Sequence, residues 1–344
     1  MKGRIVALGA WRGREAAALL VDGVLEDLFV DGDTPSPGTI YRALPDRPLK
    51  GLGGMFVRTP DGMAFLRQAK GVAPGKPLIV QVSGHAEPGK AFPVTTRVML
   101  KSRYAIATPD VPGVNVSRRI RDETRRDALI GLAKSTFLPD AGEAGASLGL
   151  VLRSSCAEAE DDAIAADIRA VTDLARKILA DTGPAPETLV EGDGPHALAW
   201  REWTEPAQVE RGPDSFAETG VLDAIDALAA PDTALPGGAR MTVEATRALV
   251  AVDVDTGADA SAAAGLKANL AAAKALPRAL RLRGLGGQIV IDPAPMPRKD
   301  RPKLDAALRA AFRRDPVDTA LVGWTPLGHV ELQRQRARPP LARP

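Results

Sequence analysis

Two apolar segments that each end in an aspartate, with an Ala-rich stretch between them, constrain the fold more than any other feature of this chain. Residues 250–255 read VAVDVD, residues 259–282 are typical of a helix that Pro277 kinks or breaks, and QIVIDP begins at Gln288. A strand, a helix and a second strand in close succession form a crossover unit, whose strands are most simply parallel. The sequence therefore predicts an α/β fold.

The aspartates at the ends of these strands are candidate metal ligands. Parallel strands bring their ends to the same edge of a sheet, so we expect Asp253 and Asp292 to be neighbours. Asp255 shares the face of Asp253, because side chains of a strand repeat every two residues. Three carboxylates with no cysteine or histidine close by in the sequence favour Mg²⁺ or Mn²⁺ over zinc, and such an ion suits phosphoryl chemistry. The alternative is that these aspartates only cap the turn or helix that follows each strand.

Composition narrows the class of protein. The chain has 344 residues, of which 45% are hydrophobic and 26% charged, and this indicates a folded protein of two or three domains. No apolar run is long enough to span a membrane. The single Cys156 excludes an internal disulfide and a multi-cysteine zinc site, and it favours the cytoplasm. The three histidines, including His329, lie at no ligand spacing from one another and are predicted to be incidental.

Arginine is clustered along the chain, although the formal net charge is only +2. Such clusters could form a positive groove for the phosphates of a nucleic acid, whereas an ordinary solvated surface is the alternative. They occupy residues 117–126, 278–284, 309–315 and 331–340.

Turn residues divide the rest of the chain. Residues 1–32 alternate as a β-meander, which ends at the sequence DTPSPG of 33–38. Five short strand-like segments follow within 38–100 and predict a small barrel of the OB type. Apolar residues at helical spacing predict an amphipathic helix over 158–181, and another helix is predicted over 301–314.

The last third of the chain resembles the catalytic region of the bacterial ribonuclease E/G family. AVDVDTGA at 251–258 resembles the family's A-[IV]-D-[VI]-N-[TS]-G strand, and RLRGLGGQIVID at 281–292 resembles its R-L-R-x-L-G-G-[LI]-I-[VI]-I-D block. GHVELQRQR at 328–336 resembles the closing G-L-[LV]-E-[ML]-[ST]-R-[QK]-R motif. Weaker similarity covers most of the remaining chain in the same order.

The resemblance implies an endoribonuclease that hydrolyses single-stranded RNA in RNA processing or decay, with Mg²⁺ or Mn²⁺ as the metal. Asp253 and Asp292 match the family's two metal ligands. Asp255 stands where the family has an asparagine that assists the metal site or the scissile phosphate, so it is a third catalytic candidate. A non-catalytic RNA-binding or ribosome-associated member of the same family is the alternative.

The resemblance also implies a mixed α/β architecture of several domains. An RNase H-like domain is interrupted by an RNA-binding barrel and a 5′-phosphate sensor, and a DNase I-like catalytic domain follows. The implied order is a first RNase H-like segment (1–37), an OB-type domain (38–100), a 5′-sensor-like region (101–184), a second, shortened RNase H-like segment (185–230), a DNase I-like domain (231–337) and a tail (338–344).

Aromatic residues of the barrel are implied to face RNA. Phe56 and Phe65 match the RNA-facing aromatics of the family, and base stacking on such a ring tolerates any base. For Phe56 a place in the barrel core is the alternative, because alternation alone does not choose a face.

Two pairs further along the chain are implied to bind phosphate. Arg153 and Ser154 match an Arg-Thr pair that cradles a 5′-monophosphate, for which a guanidinium and a hydroxyl are suitable donors. Arg118 and Arg119 belong beside that pocket as RNA-binding residues, with an exposed, salt-bridged surface as the alternative.

Several positions depart from the family pattern. Asp255 replaces an asparagine and adds negative charge, Pro293 stiffens the loop after Asp292, and Pro326 stands at or near the place of a family arginine. The family's C-x-x-C motif is missing after Arg336, so we expect no zinc and no zinc-linked dimer, while other oligomeric contacts stay open.

Overall fold

The computed structural model of the chain describes residues 3–48, 53–87, 89–109, 111–137 and 148–341. The chain forms two compact units. The first unit combines Met1–Gly32 with Pro206–Pro344, and the second comprises Asp33–Glu205. Among the helices described, none has the length and the apolar character that crossing a membrane requires.

The first unit begins with a three-stranded antiparallel meander. Its strands are β1 (Arg4–Trp11), β2 (Arg14–Val21) and β3 (Val24–Val30). The two hairpin loops, Arg12-Gly13 and Asp22-Gly23, have positive φ at both residues, which is the backbone of the type I′ turn that a twisted hairpin favours.

The second unit contains a closed five-stranded barrel. Its strands are β4 (Ile40–Pro48), β5 (Met55–Thr59), β6 (Gly62–Leu66), β7 (Leu78–Val82) and β8 (Phe92–Thr95). They pair in the order β4-β5-β6-β8-β7, and pairing of β7 with β4 closes the ring. Tyr41, Met55 and Leu66 are among the buried side chains that fill it. The mixed α/β prediction is confirmed at this level, including a small five-stranded barrel.

The remainder of the second unit is a four-stranded sheet covered by two helices. The elements are β9 (Leu100–Lys101), β10 (Ala105–Pro109), β11 (Gly113–Val116), α1 (Glu123–Phe137), β12 (Leu148–Leu152), α2 (Asp161–Leu179), β13 (Glu187–Val190) and α3 (Pro195–Glu202). The sheet order is β11-β12-β10-β9, and β13 pairs with β4 of the barrel. The apolar face of α2 is buried as predicted, whereas α1 was not predicted from the sequence.

The chain then returns to the first unit through three short elements. They are β14 (Gln208–Arg211), α4 (Ser215–Glu218) and α5 (Val221–Ala227). Strand β14 extends the meander by pairing parallel with β1, and Phe216, Val221 and Ile225 pack against that sheet.

The last portion of the first unit is a six-stranded sheet. Its elements are β15 (Asp232–Ala234), β16 (Arg240–Ala245), β17 (Val250–Asp255), α6 (Ala264–Leu282), β18 (Gly287–Asp292), α7 (Arg301–Arg314), β19 (Thr319–Trp324) and β20 (Val330–Arg334). The order is β15-β16-β17-β18-β20-β19. Strands β17 and β18 are parallel, as the crossover pattern predicts, and the other neighbours are antiparallel.

Helices α6 and α7 cover one face of this sheet. Val252 and Ile291 of the strands pack with Leu280 of α6 and Leu308 of α7 in a single buried cluster. Because strand side chains alternate, the residues between the buried ones fall on the opposite face. Helix α6 runs from Ala264 to Leu282 with Pro277 inside it, so a break at Pro277 is wrong, and the kink that the sequence also allows stays a prediction.

Candidate active site

Asp253 and Asp292 lie side by side on the face of the six-stranded sheet that the helices leave open. They are register partners in the parallel pair of β17 and β18. Neighbouring strands are about 4.8 Å apart, so the two carboxylates are within reach of one shared ion. Both residues are exposed, and the side chain of Asp292 is 65% accessible. The structure therefore brings together the pair that the crossover pattern predicts to be neighbours.

The same row continues across two further strands. Thr242 of β16 is the register partner of Asp253, and Asp232 of β15 is the register partner of Thr242. The Thr242 hydroxyl donates a hydrogen bond of 2.7 Å to Asp232 Oδ1. Sequence reasoning missed both residues, although the antiparallel register of the segments around 240–255 would have indicated Thr242.

The loop after Asp292 is fixed by a buried amide. Asn269 of α6 donates through Nδ2 to the Ala294 carbonyl at 2.9 Å and accepts from the Ala294 amide through Oδ1 at the same distance. Asn269 is only 2% exposed, so these two bonds satisfy it in the core and hold the chain that leaves Asp292. Sequence reasoning did not identify Asn269 as a positioning residue.

Asp255 takes a different position from the other two aspartates. It lies one step further along the same face of β17, opposite Arg240, whose Nη2 is 3.7 Å from Asp255 Oδ2. Its Oδ1 accepts a hydrogen bond of 2.6 Å from the Gly257 amide. The alternative in which a strand-terminal aspartate caps the following turn therefore describes the contacts of Asp255, and its predicted catalytic role stays a prediction.

Asp253 and Asp292 lack a lysine or arginine partner in the part of the chain that the structure describes. Within the described ranges neither side chain forms an ion pair with lysine or arginine, and Asp253 forms no side-chain hydrogen bond. Two unscreened carboxylates on neighbouring strands repel each other, and a cation between them removes that cost. The arrangement is therefore suited to holding a positive ion.

His329, which sequence spacing predicts to be incidental, lies close to Asp292. Its Nε2 is 3.8 Å from Asp292 Oδ1, at the hairpin where Thr325 and His329 exchange hydrogen bonds before β20. Over the described residues of the chain, no cluster of three or more His, Cys, Asp or Glu side chains is arranged to hold a metal. Two carboxylates nevertheless fit Mg²⁺, which keeps several of its waters and takes few protein ligands.

Phe56 and Phe65 lie on the outside of the barrel. They are register partners on β5 and β6, and their rings meet edge to face at a centroid distance of 5.6 Å. Both are partly exposed, whereas their strand neighbours, including Val57 and Ala64, are fully buried in the barrel core. The core alternative for Phe56 is therefore excluded, and the two rings present an outward aromatic surface.

Arg153 is already occupied by protein groups. Its Nη1 donates to the Ser102 carbonyl at 2.6 Å and to the Arg201 carbonyl at 3.3 Å, and its Nη2 forms an ion pair with Glu202. Burial would raise the pKa of Glu202, but Arg153 and Arg201 outweigh that effect and lower it. The neighbouring Ser154 is exposed at the start of a short 3₁₀ turn.

Arg118 and Arg119 lie in the turn between β11 and α1 and are both exposed. In the described residues neither guanidinium forms an ion pair, so the salt-bridged alternative does not hold there. Their positive charge is available to an external anion such as phosphate.

Comparison with known proteins identifies the family to which this sequence is similar. A sequence model of the ribonuclease E/G family matches residues 99–208 and 196–337. Ribonuclease E of Synechocystis is 26% identical over 94% of this chain and 55% of its own length, and ribonuclease E of Nostoc is 26% identical over 94% and 54%. Ribonuclease G of Salmonella typhimurium is 25% identical over 93% of this chain and 77% of its own length.

The chain thus spans about half the length of the ribonuclease E relatives and about three quarters of the ribonuclease G relative. The matched regions include both strands that carry Asp253 and Asp292, and they continue to residue 337. This chain belongs to the ribonuclease E/G family.

Proposed function

We propose that this chain is an endoribonuclease that cleaves single-stranded RNA and that Asp253 and Asp292 hold its Mg²⁺, with Mn²⁺ as a substitute. The observation that carries the proposal is the register pairing of two exposed aspartates that have no arginine or lysine partner in the described residues. A bound divalent ion would polarise the scissile phosphate and lower the pKa of an attacking water. RNA processing or decay in the cytoplasm is the setting that fits such an activity and the lone, buried Cys156.

The chain's own residues would position the reacting groups. Asn269 fixes the backbone that follows Asp292, and Thr242 and Asp232 extend the polar row on the side of Asp253. Preorganised polar groups of this kind keep ligand oxygens in place without reorganisation during the reaction. Asp255 would act one step away from the metal, with its carboxylate held by the Gly257 turn and near Arg240.

Single-stranded RNA would be gripped by the second unit. The outward rings of Phe56 and Phe65 suit stacking with unpaired bases, and the exposed Arg118 and Arg119 suit phosphates. Arg153 and Ser154 would receive a 5′-monophosphate, in which case the phosphate would replace Glu202 as the partner of Arg153.

These roles agree with the family's architecture, which we propose for the chain. In that assignment the closed barrel is an OB-type RNA-binding domain, and the sheet β11-β12-β10-β9 belongs to the 5′-sensor region. The meander with β14 is RNase H-like, and the six-stranded sheet is a DNase I-like catalytic domain.

Cleavage of a single-stranded, AU-rich oligoribonucleotide in the presence of Mg²⁺ tests the proposal. We expect Asp253→Asn and Asp292→Asn each to lower the rate at least about 100-fold, because each removes a charged metal ligand. Asp223→Asn is the matched control, since Asp223 is an exposed aspartate of α5 in the same unit. Equal cleavage by the two ligand variants and the wild type would overturn the assignment.

A non-catalytic, RNA-binding or ribosome-associated member of the family is the second candidate. The observation in its favour concerns Asp255, which stands at the position of the family's asparagine. Its carboxylate accepts a hydrogen bond from the Gly257 amide and is thereby held in the following turn. RNA binding that is salt-sensitive and independent of metal, without products after long incubation, would favour this candidate over the nuclease.

A further inference from the structure

Trp200 of α3 is an exposed indole in the second unit. The residue is 67% exposed, whereas the other three tryptophans are at most partly exposed. Helix α3 starts at Pro195 and buries Pro195 and Ala199, which leaves the following residue on its outer side. The exposed part of this large ring is therefore open to contact with a ligand.

Arg103 holds this indole in place. The guanidinium carbon lies 3.9 Å from the ring centroid, and Nη1 of the same arginine donates a hydrogen bond to the Trp200 carbonyl. The backbone of Arg103 is itself fixed, because its carbonyl accepts a hydrogen bond of 2.6 Å from Ser155 Oγ. One face of the ring is therefore covered by a cation, and much of the remaining surface faces solvent.

The surroundings of Trp200 are rich in positive charge. Arg201 is paired with Asp193 and Glu202, and Glu202 also pairs with Arg153. Lys101 of β9 is exposed and interacts electrostatically with Glu202, Arg201 and Arg153. The four cations of this group, including Arg103, outnumber its two carboxylates, Asp193 and Glu202. This surplus favours an anionic partner over a basic peptide, and the exposed aromatic ring favours a partner with bases that stack.

We propose that Trp200 and Arg103 form a stacking platform for one unpaired nucleobase of an RNA strand whose phosphates pass over the neighbouring cations. Single-stranded RNA is recognised by stacking of splayed bases on aromatic rings and on guanidinium planes, and this surface provides both. The Ser155 hydroxyl donates to the Arg103 carbonyl and the Arg153 guanidinium donates to the Arg201 carbonyl, and these two hydrogen bonds connect the platform to the segment proposed to receive a 5′-monophosphate. This inference rests on the proposed binding of single-stranded RNA.

Equilibrium binding of a short, fluorescently labelled oligoribonucleotide to the full chain, without added divalent metal, tests the platform. We expect Trp200→Ala to raise the Kd roughly 5- to 100-fold, and Trp200→Phe to restore most of the affinity because a phenyl ring still stacks. Leu179→Ala is the control, since Leu179 is an exposed apolar residue of the same unit. An oligomer with abasic positions should bind wild type and Trp200→Ala with similar affinity.

Intrinsic fluorescence gives a second measurement on folded protein. RNA should quench the wild-type emission, and Trp200→Phe should lose most of that quenching while keeping its affinity. If wild type binds RNA and Trp200→Ala binds it equally well, the platform is wrong and the RNA-binding function stands. If wild type binds no RNA at all, the proposed function itself fails. Loss of binding in Leu179→Ala as well would also overturn a specific role for Trp200.

Discussion

Two groups of aspartates in the first unit have opposite environments. Asp253 and Asp292 are exposed and have no arginine or lysine partner in the described residues, whereas Asp27 and Asp315 are buried among arginines. The side chain of Asp315 is 0% exposed and contacts Arg281 and Arg334, each at 2.7 Å. The first pair leaves its charge for a cation from solution, whereas the charge of the second pair is neutralised inside the protein.

The buried group forms one connected network, which we call the buried ion network. Arg281 of α6 contacts Asp27 of β3 at 3.1 Å as well as Asp315, and Arg338 near the chain's end also pairs with Asp27. Burial would lower the pKa of Arg281, but Asp27 and Asp315 outweigh it and raise the pKa. The network therefore ties β3, α6 and the segment after β20 within the first unit.

Pairing with arginine separates the carboxylates that are compensated within this fold from those that are open to a ligand. A buried charge must be compensated by the protein itself, because burial without a partner is very costly. An exposed pair of carboxylates on adjacent strands has no such compensation. The repulsion between the two charges lowers the free energy of unfolding by a modest amount. Mutations in the two groups should therefore have opposite effects on the free energy of unfolding.

The largest effect is expected in the buried ion network. Asp315→Asn removes the charge that Arg281 and Arg334 share, and it should lower the free energy of unfolding by about 3–5 kcal/mol because two buried guanidinium groups lose a partner. Denaturant unfolding measures the change. Asp318→Asn is the matched control, since Asp318 is exposed in the same loop. If Asp315→Asn lowers the free energy of unfolding by no more than Asp318→Asn does, the buried ion network does not stabilise the fold.

An intermediate effect is expected from Glu202 in the second unit, which is paired but partly accessible. Its pKa in the folded state lies below the unfolded value near 4.5, so its ion pairs stabilise the protein at neutral pH. That contribution, on the order of 1 kcal/mol, should be lost as the pH falls through the folded pKa.

Unfolding at several pH values checks this expectation. Glu202→Gln should be less stable than wild type at pH 7 and equally stable well below the folded pKa. A difference that persists unchanged at low pH would mean that packing of the side chain, and not its charge, stabilises the fold.

The sequence predicted those regions of the fold that local patterns determine. The crossover unit follows from two apolar segments around one helix, and the structure pairs Asp253 with Asp292 accordingly. Five short segments between turn residues sufficed for a small barrel. The catalytic, metal-binding and phosphate-binding roles of the candidate residues stay predictions.

The missed features depend on contacts that no local pattern records. Helix α1 buries few apolar side chains, among them Leu129 and Phe137, and arginines occupy much of its start, so helical periodicity is weak. Asp27 and Arg281 form an ion pair although most of the chain separates them in the sequence, and no local sequence pattern around either residue predicts the contact. His329 approaches Asp292 only because β20 pairs with β18.

The smallest expected change in the free energy of unfolding is that of Asp253→Asn. It gives the sharpest test, because its sign is opposite to that of Asp315→Asn. Without metal, Asp253→Asn should raise the free energy of unfolding by about 0.2–1 kcal/mol, since it removes repulsion between Asp253 and Asp292 on neighbouring strands. Added Mg²⁺ should stabilise wild type in proportion to the logarithm of its concentration above the Kd, and it should leave the variant nearly unchanged. Thermal unfolding with and without Mg²⁺ measures both changes. A destabilised variant that still responds to Mg²⁺ would mean that the two aspartates serve the fold and that the ion binds elsewhere.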